Sequence, residues 1–115
     1  MEPTNENVKL SEGEKIVLGI IYDYIDEQGI KPNLIDVTEA VNKKTGKDLK
    51  LQTVATFISR MKKKVFLLSE KKGRIQYYQP KYSKYEMLLQ ELHDLSFIYF
   101  NGDSNKLKNF TNQNI

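Results

Sequence analysis

Two short runs of apolar and aromatic residues stand close together in the second half of the chain. Residues 65–70 read VFLLSE, residues 74–79 read RIQYYQ, and KKG joins the two runs. β-Branched and aromatic residues favour strands, and a glycine between two such runs can take the positive φ that a tight turn requires. The sequence therefore predicts a β-hairpin that turns at Gly73 and is closed by Pro80.

The segment before this hairpin carries the pattern of three helices. Ser11 followed by Glu14 is a capping box, and Gly29 is a plausible stop, so the first helix is predicted over residues 12–28. A shorter second helix is predicted to be capped by Asp36 or Thr38 and to end at Gly46. The third is predicted over residues 51–64, with an apolar face made of Val54, Phe57, Ile58 and Met61.

A long helix is predicted after the hairpin. Ser83 and Glu86 repeat the capping box, and residues 101–103, NGD, end the helix. The last twelve residues form either another short helix or a frayed end. The apolar stripe of the long helix consists of Tyr85, Leu88, Leu89, Leu92, Leu95 and Tyr99.

The order helix, helix, helix, hairpin, helix is typical of a winged helix-turn-helix, a mainly α fold with a small β-hairpin wing. We expect a DNA-binding domain at 1–82 and a C-terminal helical dimerisation region at 83–115. The third helix is then the recognition helix, and the hairpin is the wing.

Charge is strongly segregated along the chain, although the net charge is only +3. Residues 1–41 carry −6, residues 42–85 carry +11 and residues 86–115 carry −2. A cationic segment that coincides with the predicted helix-turn-helix and wing indicates a polyanion as partner. The alternative for these lysines is a solvated hairpin tip and a favourable interaction with a helix dipole.

Duplex DNA is the favoured polyanion, because only a wide major groove admits a reading helix. The expected contacts come from one face of the third helix, the residue before it and the wing. They are Lys50, Gln52, Thr53, Ala55, Thr56, Ser59, Arg60, Lys63, Lys71, Lys72 and Arg74.

Other classes of protein find little support in the composition. The chain has no cysteine, and its one histidine, His93, stands without a nucleophile or carboxylate pair at a supporting spacing. We therefore expect no enzyme, no metal site and no cofactor. The polar, acidic N-terminus and the short apolar runs favour a soluble, cytoplasmic protein that makes no membrane contact.

The stretch LQTVATFISRMKKK…KKGRIQYYQP resembles the penicillinase-repressor family of winged-helix repressors (BlaI, MecI and CopY). The resemblance covers about residues 10–110. It implies a homodimeric repressor on a palindromic operator. The matching positions are Thr53, Val54, Phe57, Ile58, Arg60, Met61, Lys63, Lys64, Gly73, Arg74, Tyr78 and Pro80.

The resemblance also implies a route of derepression. Some members of the family are cut at an Asn–Phe bond, and Asn109-Phe110 falls at the matching place. A sensor protease would then be a further partner. The alternative for this dipeptide is a frayed helix with a half-buried phenylalanine.

Three departures from the family pattern matter. Val65 replaces a glycine after the Lys-Lys pair, so the exit from the third helix is expected to differ, because β-branched side chains resist positive φ. The chain stops at Ile115, where family members usually continue through another helix. Either it is a truncated form, or dimerisation rests on the helix at 83–100. Copper sensing of the CopY kind needs a cysteine cluster, which is absent.

A winged-helix module for protein–protein contact, without specific DNA binding, is the competing hypothesis. It requires an apolar patch on the third helix, whereas the outward face of that helix is polar and basic.

Overall fold

The computed structural model describes residues 9–115, which form five helices and one two-stranded antiparallel sheet. The predicted fold class is confirmed. The chain divides into two compact units between Lys81 and Tyr82. The elements are α1 (Glu12–Gln28), α2 (Leu34–Thr45), α3 (Leu51–Lys63), β1 (Leu67–Lys72), β2 (Ile75–Pro80), α4 (Lys84–Phe100) and α5 (Ser104–Asn114).

The predicted start of α1 is confirmed, and that of α2 is wrong. Ser11 and Glu14 form the expected capping box of α1. In α2 the cap is Asn33, whose side chain accepts a hydrogen bond from the Asp36 N–H at 2.9 Å. Asp36 is the third helical residue and accepts the Asn33 N–H in return at 3.0 Å. Thr38 lies inside the helix, where its hydroxyl donates to the Leu34 carbonyl. A helix that begins at Leu34 leaves neither residue in the capping position.

The turn between α2 and α3 is closed by one side chain. Gly46 ends α2 in the left-handed conformation, as predicted. The Asn42 side-chain amide donates to the Leu49 carbonyl at 3.0 Å, and its oxygen accepts the Leu49 N–H at 2.8 Å. The Asn42 side chain thus satisfies both backbone groups of Leu49, which have no backbone partner in so short a link. The two bonds fix the position at which α3 begins.

The core of the first unit lies where α1, α2 and α3 pack together and the hairpin joins them. β2 is attached to the segment before α2, because the Tyr78 N–H donates to the Pro32 carbonyl at 2.9 Å. Side chains from every one of these elements are buried, among them Val17, Ile21, Val37, Val41, Val54, Met61, Leu67 and Tyr78.

The hairpin turn is shorter than the sequence suggested. Lys72 pairs with Ile75, so only Gly73 and Arg74 lie in the turn. Lys71 and Lys72 are the last residues of β1 rather than part of the connection. Gly73 has a φ of 64°, which is the predicted positive value.

The expected change at the exit of α3 is wrong. Val65 has a φ of 63°, in the left-handed region where glycine is usual. Its N–H donates to the Lys62 carbonyl, and the Phe66 N–H donates to the Met61 carbonyl at 2.9 Å. This is the hydrogen-bond pattern of a Schellman motif. It forms here although the left-handed conformation destabilises a β-branched residue by about 1–2 kcal/mol.

The second unit consists of α4 and α5. The Ser83–Glu86 capping box opens α4 as predicted, and Asn101 and Gly102 end it with φ values of 53° and 80°. Asp103 then caps α5 by accepting hydrogen bonds from two backbone N–H groups. The last residues of the chain are therefore helical, which decides between the two alternatives.

Replacing Val65 with glycine should stabilise the protein. Glycine removes the cost of the left-handed φ but gives back part of it through the greater entropy of the unfolded chain, so we expect a net gain of about 1 kcal/mol. Chemical denaturation of the parent, Val65→Gly and Val65→Ala measures this. Alanine retains most of the strain and serves as the control. A Val65→Gly variant less stable than the parent would contradict the strained-turn description.

Candidate nucleic-acid interface

Helix α3 presents a continuous polar and basic face to solvent. Val54, Ile58 and Met61 are buried at helical spacing, so the residues between them point outward. Ala55 is the half-buried member of the predicted set. The exposed members are Gln52, Thr53, Thr56, Ser59, Arg60 and Lys63, and Lys50 is exposed just before the helix.

Among these exposed side chains, Thr56 already uses its hydroxyl proton in a hydrogen bond within the helix. The Thr56 hydroxyl donates to the Gln52 carbonyl one turn earlier, at 3.0 Å. Its methyl group and its remaining oxygen lone pairs are left to meet another molecule. Thr56 is therefore suited to apolar contact or to accepting a hydrogen bond, but not to donating one.

The two faces of the hairpin differ in what they carry. Side chains alternate between faces along a strand, and residues opposite each other in the ladder share a face. Leu67, Ser69 and Lys71 share a face with Gln76 and Tyr78, and that is the face that is buried at the base of the hairpin. We call it the inner face. Glu70, Lys72, Ile75 and Tyr77 lie on the opposite, outer face.

Lys72 is therefore separated from Lys71, although the two are adjacent in sequence. Its ammonium lies 3.6 Å from the Glu70 carboxylate and 5.9 Å from the centroid of the Tyr77 ring. Lys31 also approaches Glu70, at 3.6 Å. Lys72 and Lys31, which precedes α2, thus both lie close to Glu70, the one acidic residue of the hairpin.

Lys64, the last of the three lysines after Met61, does not join the exposed face either. Its ammonium lies 2.7 Å from a carboxylate oxygen of Glu14 and donates to the Lys9 carbonyl at 2.9 Å. Burial on its own would raise the pKa of Glu14, but hydrogen bonds from Lys64 and Ser11 outweigh it and hold that pKa below its ordinary value. The lysine is a structural tie between α1 and the end of α3.

A solvent-open groove of about 370 Å³ separates α3 from the inner face of the hairpin. The Lys62 ammonium crosses it to the side-chain oxygen of Gln76 at 3.4 Å. The lining residues are Ala55, Ile58, Ser59, Lys62, Lys63, Gln76 and Tyr78.

Sequence reasoning missed Lys62, Gln76 and Tyr78 as candidate site residues. The signal that could have found Gln76 is the strand period, because residues 76 and 78 share a face and Tyr78 is buried. To use this signal, one must know which residues of β1 and β2 face each other. The sequence alone left that pairing uncertain by one or two residues.

Five cations of the predicted set remain available. Within residues 9–115, no carboxylate pairs with Lys50, Arg60, Lys63, Lys71 or Arg74. Unpaired exposed cations repel one another, and a polyanion relieves that repulsion.

The predicted dimerisation residues lie on α4 and are exposed in the single chain. Their side chains are between 41% and 74% exposed; the residues are Tyr85, Leu88, Leu89, Leu92, Leu95 and Tyr99. Sequence reasoning missed Phe97 and Ile98, which are exposed on other sides of the same helix. Asn109 and Phe110 lie within α5, and the Phe110 ring is 6.0 Å from that of Phe100.

Other kinds of site find no support in residues 9–115. They contain no group of three or more acidic, histidine or cysteine side chains that could hold a metal ion. His93 is exposed and lies 3.7 Å from Asp94. None of the described helices combines the length and apolar character needed to cross a membrane.

Comparison with protein families identifies the family of the chain. The family model for the penicillinase repressor matches residues 10–114, nearly the whole chain. The search of curated proteins found no match. Members of the matched family are regulatory DNA-binding proteins rather than enzymes. A polar, cationic helix beside a basic hairpin is what such a protein requires, and the chain belongs to the penicillinase-repressor family of DNA-binding transcriptional repressors.

Proposed function

We propose that the protein is a homodimeric repressor that binds a palindromic operator in duplex DNA. The observation that carries the proposal is the meeting of the exposed polar face of α3 with the inner face of the hairpin across one groove. α3 and the hairpin together carry five exposed cations on or beside these faces, of which Lys62 and Lys63 line the groove; the others are Arg60, Lys71 and Arg74.

The two parts of this surface have different roles. A major groove about 12 Å wide admits α3, whose exposed Gln52, Thr53 and Thr56 lie in its first two turns. Glutamine pairs with adenine, and the Thr56 methyl suits the methyl group of thymine. Lys50, Lys63, Lys71 and Arg74 contact phosphates, which supply affinity but carry no sequence information. Repression then follows from steric exclusion of polymerase.

The face of α3 disfavours the competing hypothesis of a protein-binding module. Its exposed positions are small and polar in the first half and cationic in the second, with Leu51 at the start as the exception. An interface core is depleted of charge and enriched in aromatic residues, which this face lacks.

The two lysines at the end of β1 should behave differently towards DNA. Lys71→Ala should weaken binding to any duplex severalfold and make the log–log salt slope of the dimer shallower by about 1.8, because each of the two protomers loses one phosphate contact. Lys72→Ala is the matched control. Its side chain lies on the outer face of the hairpin, where its ammonium is 3.6 Å from the Glu70 carboxylate, so its effect should be much smaller. Fluorescence anisotropy with labelled duplex at several salt concentrations measures both. Equal effects of the two variants would contradict the assignment of faces.

We propose that α4 forms the dimer contact. Its apolar residues occupy the stripe and, near its end, the other sides as well. A helix with an exposed apolar stripe of this size is expected to be covered by a partner. A second copy of the same helix is the partner of matching chemistry.

The dimer predicts a specific pattern in sedimentation. At micromolar concentration the parent should sediment as a dimer, and Leu92→Asp should be a monomer because a charge enters the apolar stripe. His93→Asp, at the neighbouring exposed position, introduces the same side chain beside the stripe and should leave the dimer intact. A monomeric parent would place association outside residues 83–100.

Relief of repression is proposed to occur by cleavage at Asn109-Phe110. Both residues lie inside the helical span of α5, so the bond becomes extended and accessible only when that helix opens. Opening is easy, because α5 has only 11 residues and none is buried.

Cleavage therefore predicts a defined product. Mass spectrometry of the chain from cells in the derepressed state should find a fragment that ends at Asn109. Asn112→Ala, which strengthens the helix at an exposed position, should slow its appearance. An intact chain in derepressed cells would contradict this route.

A further inference from the structure

One large apolar side chain of the recognition helix stays outside the core. Leu51, the first residue of α3, is 46% exposed. Single exposed leucines are common on protein surfaces, so the position of Leu51 matters more than its exposure. The structure describes all of α3, and the other large apolar side chains of the helix are buried or half-buried, namely Val54, Phe57, Ile58 and Met61.

Leu51 begins the row of α3 residues that faces the hairpin. Residues spaced three or four apart lie along one side of a helix, so Leu51 is in line with Ala55 and Ile58. Both of these line the groove between α3 and the hairpin, and so does Lys62 one turn further on. The first half of this row is therefore apolar, and positive charge enters only at Lys62.

The side chain of Leu51 also projects ahead of the helix. Every Cα–Cβ bond in an α-helix is tilted towards the N-terminus, so a side chain in the first turn extends past the helix start. When a recognition helix lies in the major groove, its N-terminal residues are the ones that contact base edges. Leu51 is therefore placed, with Gln52, against the bases rather than against the phosphates.

An aliphatic side chain suits one group on those base edges. The edges that face the major groove carry hydrogen-bond donors and acceptors, and the 5-methyl group of thymine is their apolar substituent. Contact between this methyl group and a leucine removes apolar surface of both from water. A polar base edge covered by the same leucine would lose its water and gain no hydrogen bond in return.

We propose that Leu51 is a specificity-determining residue that packs against the 5-methyl group of a thymine in each half-site of the operator. The inference rests on the proposed DNA-binding function and adds to it a base contact that is purely apolar. Leu51 and Thr56 are separated by about 7.5 Å along the helix axis, so the two side chains contact different base pairs.

Uracil substitution tests this contact, because deoxyuridine pairs with adenine as thymidine does but lacks the methyl group. The probe is the duplex that the parent selects from a random pool, with its thymines replaced by deoxyuridine at one symmetric pair of positions at a time. At the position that Leu51 contacts, the parent should bind about fourfold more weakly for each half-site. In Leu51→Ala that position should become insensitive to uracil, while the position that Thr56 contacts keeps the parental response.

Leu68→Ala is the matched control, because Leu68 is 39% exposed and lies on the outer face of the hairpin. It should respond to uracil as the parent does at every position. The ratio of affinities for two duplexes does not depend on the folded fraction of the protein, so a loss of stability cannot imitate the expected effect.

The outcomes separate this contact from DNA binding itself. If Leu51→Ala keeps the parental response to uracil at every position, or if the parent shows no response, the inference falls although DNA binding stands. If the parent selects no duplex at low salt, both the proposed function and this inference fall.

Discussion

The hairpin is held beside the recognition helix by the three residues that join them. Lys64 is bound to Glu14 at the start of α1, and Val65 turns the chain in the left-handed conformation. The Phe66 N–H closes the turn on Met61, and the Phe66 carbonyl accepts the Lys81 N–H at the end of the hairpin. Helix, turn and hairpin are thereby fixed to one another and to α1. The candidate interface depends on this arrangement, because its groove has one wall on each element.

The same arrangement sorts the cations by role. Lys64 and Lys72 carry the same charge as Lys63 and Lys71, yet each is taken up by a carboxylate. Their neighbours lie on the face of α3 or on the inner face of the hairpin. No carboxylate lines the groove between α3 and the hairpin, which leaves a field of one sign where a polyanion would lie.

Sequence reasoning predicted the elements well where local chemistry decides them. Ser11, Gly29, Gly46 and Ser83 begin or end helices by short-range hydrogen bonds and backbone preference, so their positions can be read from the residue type. Asn33 was missed because Asp36, its reciprocal partner, is an equally good cap by type alone.

The site was predictable only in part, because it depends on tertiary placement. Helical spacing separated the buried from the exposed positions of α3, except that Ala55 and Phe57 are both half-buried. That Lys64 does not belong to the exposed basic face could not be predicted from the sequence. It follows from the position of Glu14, which lies beside Lys64 in the fold but 50 residues away in sequence. The opposite orientation of Lys71 and Lys72 depends on a strand register that one residue's shift would invert. Val65 shows the reverse case, where the hydrogen bonds that close the turn override the conformational preference of its own side chain.

The dependence of duplex affinity on salt concentration tests the central claim most directly. If α3 and the hairpin together neutralise about 6–10 phosphates, the logarithm of the binding constant should fall linearly with the logarithm of salt, with a slope of about −5 to −9. Affinity between 50 and 200 mM salt would then fall by about 10³–10⁵. A duplex affinity that is insensitive to salt over this range would contradict the claim that this cationic surface holds DNA.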